Sequence, residues 1–317
     1  MAELPLVIVN PASAGGATRE AWPGVASDLR THFGPFNCAF TEQPGDGRRL
    51  AATEAGRGRQ LIIACGGDGT ASEVANGILE SGRDVELGLL PSGTGGDFRR
   101  TLGLSMHAAT AARALGMGRT RRIDVGRVTY TNHAGELEAR YFLGVASFGM
   151  SGEVIERVKT NNSRLSNVTR SRWLGGRVSY AVATLQTTLA SPTTTVYVQL
   201  DGKRERRLTV ANLCVANARY FGGGMKVAPE ARLNDGRFDI ITIGDLGASR
   251  ILVNAPRLYL GKHLSMQQVY HQHAQRVAVR PVSREAQVTI EVDGELPGRL
   301  PATFEILPGA LRVRCPQ

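Results

Sequence analysis

The sequence predicts an α/β fold, with an N-terminal doubly wound α/β domain followed by an antiparallel β domain. Two observations predict it. Up to about Asp124, short apolar runs alternate with segments of helical period, the pattern of a parallel sheet with crossover helices. From Arg127 onward the runs are mostly strand-like and are bounded by Asp-Gly turns. No repeat or low-complexity segment interrupts either half, so the crevice between the two domains is the default binding site.

Residues 6–9 are the first apolar run, and a helical segment follows at 19–29. Residues 61–65 lead into a helix at 71–79, and residues 87–90 lead into helical segments at 98–102 and 105–115. In the second half, residues 139–147, 194–200, 207–216, 238–243, 276–280 and 287–292 read as strands. The turns between them include Asp201-Gly202, Asp235-Gly236 and Asp293-Gly294. Residues 178–189 and 248–260 look like helical insertions. The boundary is placed so that residues 1–126 form the first domain and residues 127–305 the second.

Length and composition fit this division. A chain of 317 residues suffices for two domains of roughly 100 to 200 residues each. Cys38, Cys65, Cys214 and Cys315 are scattered without metal-ligand spacing and read as small apolar residues in a reducing compartment. The first ten residues carry an acid and only a short apolar run before a polar turn, which fits neither a signal peptide nor a span. No apolar stretch approaches the ~18 residues that a membrane helix requires. The expectation is a soluble cytoplasmic protein.

The formal charge of +10 implies an acidic partner. Between Arg157 and Leu200 there is no Asp or Glu, while Arg157, Lys159, Arg164, Arg170, Arg172 and Arg177 crowd around Trp173. This stretch reads either as a solvated basic face or as a surface for anionic phospholipid headgroups, where each basic residue is worth about 1 kcal/mol. Nucleic acid is not favoured, because aromatics make up only 6% of the chain and no nucleic-acid-binding signature appears.

Three small-residue turns carry the chemistry. Gly66-Gly67-Asp68-Gly69-Thr70 ends one strand and opens a helix, which makes a phosphate cradle: glycines let backbone N–H groups approach an anion, and the helix N-terminus adds roughly half a positive charge. Asp68 would repel a bare phosphate, so it points to a metal ion between the two, or to contact with a ribose or a reacting hydroxyl. Asn10-Pro11-Ala12-Ser13-Ala14-Gly15-Gly16 ends the first strand, at the sheet edge where doubly wound folds bind ligands. The run from Pro91 to Arg100 repeats the design with glycines, Thr94, Asp97 and a helix start. Each turn alone is also explained as a helix cap, but three on neighbouring strand ends favour a site. Asp293-Gly294-Glu295 places two acids on a later tight turn, which local sequence alone reads equally well as a hairpin tip. His271 and His273, two apart on a strand, share a face and read as surface residues.

Together these segments resemble a known family. Asn10-Pro11 with Gly15-Gly16, the Gly66–Thr70 motif, the run from Pro91 to Arg100, Ile123-Asp124-Val125-Gly126, Ala228-Pro229 with Asp235-Gly236, and Asp293-Gly294-Glu295 are similar, in order, to the bacterial diacylglycerol kinase and lipid kinase family, related to sphingosine and ceramide kinases. The resemblance implies a β-sandwich second domain, with residues 306–317 packing back on the first domain. It implies ATP contacts by Asn10, Pro11, Ala12, Ser13 and Ala14, by Thr41, by Gly66, Gly67, Asp68, Gly69, Thr70, Ala71 and Ser72, and by Thr94.

It also implies roles for the acids. Glu295 and Asp293 match the pair that activates the lipid hydroxyl, with Glu295 as proton acceptor. Asp68, Asp97 and Asp124 match acids around a catalytic Mg²⁺. Asp235, with backbone carbonyls at Arg232 and Arg237, matches a second, structural Mg²⁺ site. Gly96 stands where most members carry Asn. Phosphoryl transfer needs positioning and charge neutralisation, to which a basic residue such as Arg19 or Arg100 would add. Hard oxygen ligands suit magnesium.

The implied function is an ATP-dependent lipid kinase working at the inner membrane face, with the acceptor lipid and a homodimeric state left open. An NAD-kinase-like soluble kinase lacks support because its other motifs are missing. A nucleotide-binding regulator without catalysis has no need to keep Asp68, Asp97, Asp124, Asp293 and Glu295 together.

Overall fold

The computed structural model describes residues 3–92, 96–150, 193–246, 248–283 and 285–316. The helix expected at 178–189, the basic stretch from Arg157 to Arg177, and Thr94 lie outside them. In the first lobe β1 (Leu6–Val9) pairs in parallel with β2 (Asn37–Phe40) and β3 (Leu61–Gly66), and β3 pairs in parallel with β4 (Glu86–Pro91). Helices α1 (Ala17–His32), α2 (Asp46–Gly56), α3 (Asp68–Glu80), α4 (Asp97–Leu102) and α5 (Ala108–Met117) connect and follow these strands. Apolar side chains fill both sheet faces. Ile8, Ile62, Val74 and Ile78 lie on one side, and Val7, Val9, Leu29, Ile63 and Leu115 on the other. That is the doubly wound arrangement, and its switch point falls between β1 and β3.

The second lobe is built from antiparallel strands. They are β5 (Arg119–Asn132), β6 (Leu137–Phe142), β7 (Val145–Gly149), β8 (Thr194–Leu200), β9 (Arg206–Val210), β10 (Asn212–Ala216), β11 (Phe238–Ile243), β12 (Val269–Ala274), β13 (Arg276–Pro281), β14 (Thr289–Val292) and β15 (Glu295–Cys315), with helix α6 (Ala248–Leu260) before β12. Their inner faces bury Phe142, stacked on Phe238 at 5.6 Å and edge-on to Phe304 at 6.4 Å. Gly126 lies flat against Phe142, where any Cβ would strike the ring. The lobe is the sandwich that the sequence led us to expect.

β5 and β15 run through both lobes as one antiparallel ladder. At its far end β15 turns from the sandwich to the first lobe, where Arg312 and Val313 pair in parallel with Glu86 and Leu87 of β4. A division at residue 126 or 305 therefore falls inside a paired strand at each lobe crossing. The run 139–147 is two strands, broken at Leu143 and Gly144, and the run 207–216 is broken at Ala211. β2 and α2 carry little apolar periodicity, since β2 is mostly exposed and α2 is half polar. Among the described residues, no helix is long and apolar enough to cross a membrane.

Candidate active site

The three small-residue turns meet at the C-terminal edge of the parallel sheet. Asn10 ends β1, and its side chain donates to Thr70 Oγ1 at 3.1 Å while accepting from the Ala12 amide at 3.0 Å. Ser13 Oγ lies 3.5 Å from the same hydroxyl. Thr18, at the start of α1, shares a 2.6 Å hydrogen bond with Ser92, and the Ser92 amide donates to Gly66 O at 3.0 Å. Side-chain bonds thus weld the turns after β1, β3 and β4 into one floor. Gly15, Gly16, Gly67 and Gly69 face open space, so a ligand has room to approach their backbone. Gly66 does not, because a Cβ there would strike Thr70 and Ser13. Pro11 and Ala14 are partly or fully exposed in the first turn, Thr41 is bonded at the end of β2, and Ala71 and Ser72 are buried in the first turn of α3.

Asp68 has a structural partner that the sequence did not disclose. Its carboxylate accepts from the backbone amides of Gly96 at 3.0 Å, Asp97 at 2.8 Å and Phe98 at 3.2 Å, capping α4 from a neighbouring turn. Its negative charge therefore answers those amides and needs no metal or ligand to explain it. Asp97 accepts from Arg100 Nη1 at 2.5 Å and from the Gly223 amide at 2.7 Å. Burial pushes the Asp97 carboxyl above its ordinary range, and the nearby Asp68 charge adds to that, while Gly223 and Arg100 oppose it.

The β14–β15 hairpin carries the two later acids. Asp293 and Gly294 both take positive φ, 49° and 85°, the form that reverses a chain between adjacent strands. Asp293 accepts from the amides of Leu143 and Gly144, each at 2.9 Å, which the break between β6 and β7 leaves free. Burial pushes Asp293 up; the two amides and Arg140 pull it down, and Asp68 raises it further. Glu295 is half exposed and accepts from Arg140 Nη1 at 2.8 Å.

Asp124 sits elsewhere. One oxygen accepts from the Gly236 amide at 2.7 Å and the other from the Gly309 amide at 2.8 Å, so the side chain staples the 233–236 loop and β15 to β5. Each Asp124 oxygen thus already carries one backbone donor, which satisfies the buried charge. Asp235 differs: Arg237 holds one oxygen at 3.0 Å, while Oδ1 is buried with no hydrogen-bond partner. An open, buried carboxylate oxygen fits a cation. Arg232 and the Arg237 side chain are exposed beside it.

Comparison with known proteins gives the family of the chain. The diacylglycerol kinase catalytic domain matches residues 5–128, and the YegS C-terminal NAD kinase beta sandwich-like domain matches residues 154–315. The diacylglycerol kinase of Mycobacterium tuberculosis (strain ATCC 25618 / H37Rv) is 30% identical over 241 residues, covering 75% of this chain and 71% of its own. This chain belongs to the bacterial diacylglycerol kinase and lipid kinase family. It is a lipid kinase. The diacylglycerol kinase of Bacillus subtilis (strain 168) is 30% identical over 72% of this chain and 69% of its own. A crystal structure of a diacylglycerol kinase from Bacillus anthracis str. Sterne shares the fold, with a TM-score of 0.74 at 23% identity, covering 99% of this chain and 97% of that one.

Within this lipid kinase, several site residues escaped sequence reading. Asn76 of α3 forms a two-way bridge to the Tyr141 backbone of β6, at 2.9 and 3.0 Å. Asn217, buried, donates to the carbonyls of Asp124 and Leu143. Glu291, also buried, accepts from the Ser147 hydroxyl and from the Gly294 amide at 2.7 Å. Burial pushes its carboxyl up to about 7. Nothing local marks Asn76 or Asn217. The triple glycine at 222–224, with φ of 60°, 84° and 110°, was visible and is the loop that reaches Asp97. Gly96 has a φ of 90°, a region that Gly and Asn share, and a Cβ there would lie 2.7 Å from Arg99 Nε. The cavity of about 370 Å³ between Thr129, Leu137, Val279 and Pro301 carries none of these acids.

Proposed function

We propose that this lipid kinase transfers the γ-phosphoryl group of ATP to a hydroxyl of diacylglycerol or a closely similar lipid, with Mg²⁺ and a carboxylate base. One observation carries the reading: Asp97, beside the glycine turn of the first lobe, accepts a 2.7 Å hydrogen bond from the Gly223 amide of the second, so both lobes meet at the acids. A site assembled from two lobes suits a reaction between two substrates.

ATP phosphates are received by the backbone around Gly67, Gly69 and Gly15, where the start of α3 adds its dipole. The lipid hydroxyl faces the Asp293–Glu295 hairpin. As its oxygen bonds to the γ-phosphorus and the bond to ADP breaks, Glu295 takes the hydroxyl proton, an effect worth typically 10² to 10⁴ in rate. Arg140 fixes Glu295 in place, and the Leu143 and Gly144 amides fix Asp293. Asp68 and Asp97 concentrate negative charge beside the phosphates, which fits Mg²⁺ bound with the nucleotide; when bound, it neutralises charge on the transferred group. Asp235, with its open Oδ1, is the residue that would hold a structural Mg²⁺. Sequence-level attachment to anionic lipid through the basic stretch from Arg157 to Arg177 would bring the hairpin to its substrate.

The test is ATP turnover with and without mixed micelles containing diacylglycerol, monoacylglycerol, ceramide or a sphingoid base. Turnover that rises with one alcohol-bearing lipid and needs Mg²⁺ supports the reading. Phosphorylation of NAD, or nucleotide binding without turnover on any lipid, overturns it.

A further inference from the structure

At the β12 edge of the second lobe, three ligand-type side chains share one face of two paired strands. β11 and β12 are antiparallel, with Asp239 opposite His273 and Ile241 opposite His271, so period-two alternation puts Asp239, His271 and His273 on the same face. β12 closes that end of the strand order. Asp239 is 1% exposed, whereas the side chains of His271 and His273 are 19% and 38% exposed. Asp239 Oδ1 lies 2.7 Å from His271 Nε2 and 3.5 Å from His273 Nε2, and one ligand atom from each of the three residues fits within a mutual 4.8 Å.

We propose that Asp239, His271 and His273 bind a divalent transition-metal ion, with Zn²⁺ as the natural occupant and water completing the shell. Zinc bonds of roughly 2.0–2.2 Å place tetrahedral ligand atoms ~3.3 Å apart, close to the spacing already present. Two imidazoles with one carboxylate are a donor set for Zn²⁺, Co²⁺ or Ni²⁺ and a poor one for Mg²⁺. The carboxylate is buried while the imidazoles border solvent, so an ion has a preformed anionic base and an entry side. The ion replaces the proton that His271 shares with Asp239 and ties the edge strand β12 to β11. None of the three residues belongs to the phosphoryl-transfer machinery, so the proposal does not depend on that machinery and survives its failure.

The experiment uses the full chain stripped with a chelator, then titrated with CoCl₂ and ZnCl₂. The expected result is one Co²⁺ with the strong visible absorption of a four-coordinate ion, displaced by Zn²⁺ and unaffected by excess Mg²⁺. His273→Ala, at an exposed position that leaves the fold intact, should weaken Zn²⁺ binding by more than ~100-fold, beyond the effect of losing a merely supporting partner. Zinc should also raise the melting temperature of the unaltered chain but not of His273→Ala. Absence of the cobalt spectrum, or a zinc affinity in His271→Ala and His273→Ala unchanged from the unaltered chain, would overturn the assignment and leave a hydrogen-bonded triad.

Discussion

The Gly223 amide donates a 2.7 Å hydrogen bond to Asp97, so a loop of the second lobe grips an acid of the first. Arg100 holds the other oxygen of the same carboxylate. The triple glycine makes this approach possible, because all three residues take positive φ there. The two lobes are thus joined by backbone at Asp97.

Asp68 supports both fold and chemistry. Asp68→Ala leaves three amides of the α4 turn without their acceptor and should lower stability by about 1–3 kcal/mol while abolishing kinase turnover. Asp68→Asn keeps an acceptor oxygen without the charge, so it should recover much of the stability and little of the turnover. Denaturant titration beside a kinase assay reads both. Normal turnover in either variant would remove Asp68 from the reaction.

Glu295→Gln should lower kcat by roughly 10² or more, since the amide keeps the shape but cannot accept the proton. Nucleotide affinity should barely change. Asp293→Asn should behave similarly, and the double variant should lose little beyond the worse single one, because groups acting as a unit are not additive. Steady-state kinetics with separate nucleotide titration decides; a defect wholly in ATP binding would refute the proton-acceptor role.

Glu291 should make stability depend on pH. Its folded carboxyl titrates at about 7 against an ordinary value of 4.5, so between those values the folded chain holds a proton that the unfolded chain releases. Stability should therefore be greatest below pH 4.5 as far as this group is concerned, fall as pH rises to 7, and then level off, a change of about 3 kcal/mol. Asp46, Glu54 and Glu205 are shifted the other way and act below the usual carboxylate range. Glu291→Gln should make the slope between pH 4.5 and 7 shallower, with raised Asp97 and Asp293 accounting for part of what remains, measured by chemical denaturation of both proteins.

Replacing Arg164, Arg170 and Arg172 by Gln should weaken binding to anionic vesicles by up to about 3 kcal/mol at low salt. The difference should shrink as salt rises. Sedimentation with phosphatidylserine-containing vesicles measures it, and unchanged binding would reduce the basic stretch to a solvated face.

The parallel core was legible because burial on two sheet faces writes itself into contiguous apolar runs. β1, β8 and β11 and helix α6 fall on the residues that their patterns mark. β2 was not legible, since a short exposed edge strand has no apolar run to show. The break at Leu143 and Gly144 was hidden for a different reason. Both halves are apolar, and the interruption exists to present two amides to Asp293, a partner 150 residues away in sequence for Leu143 and 149 for Gly144.

By itself the sequence determined which residues are acids in glycine turns and which turns end strands, because a missing Cβ and a strand-to-helix switch are local properties. Only the tertiary structure decided what each acid touches. Asp68 and Asp124 look alike as single carboxylates in motif positions, yet one caps α4 beside the crevice and the other staples β5 to Gly236 and Gly309. The difference comes from which backbone amides the fold leaves without partners, and those arise where chain segments distant in sequence are brought together. The same holds for His271 and His273: their shared face follows from strand alternation, but the buried Asp239 beneath them follows from the register of β11 against β12.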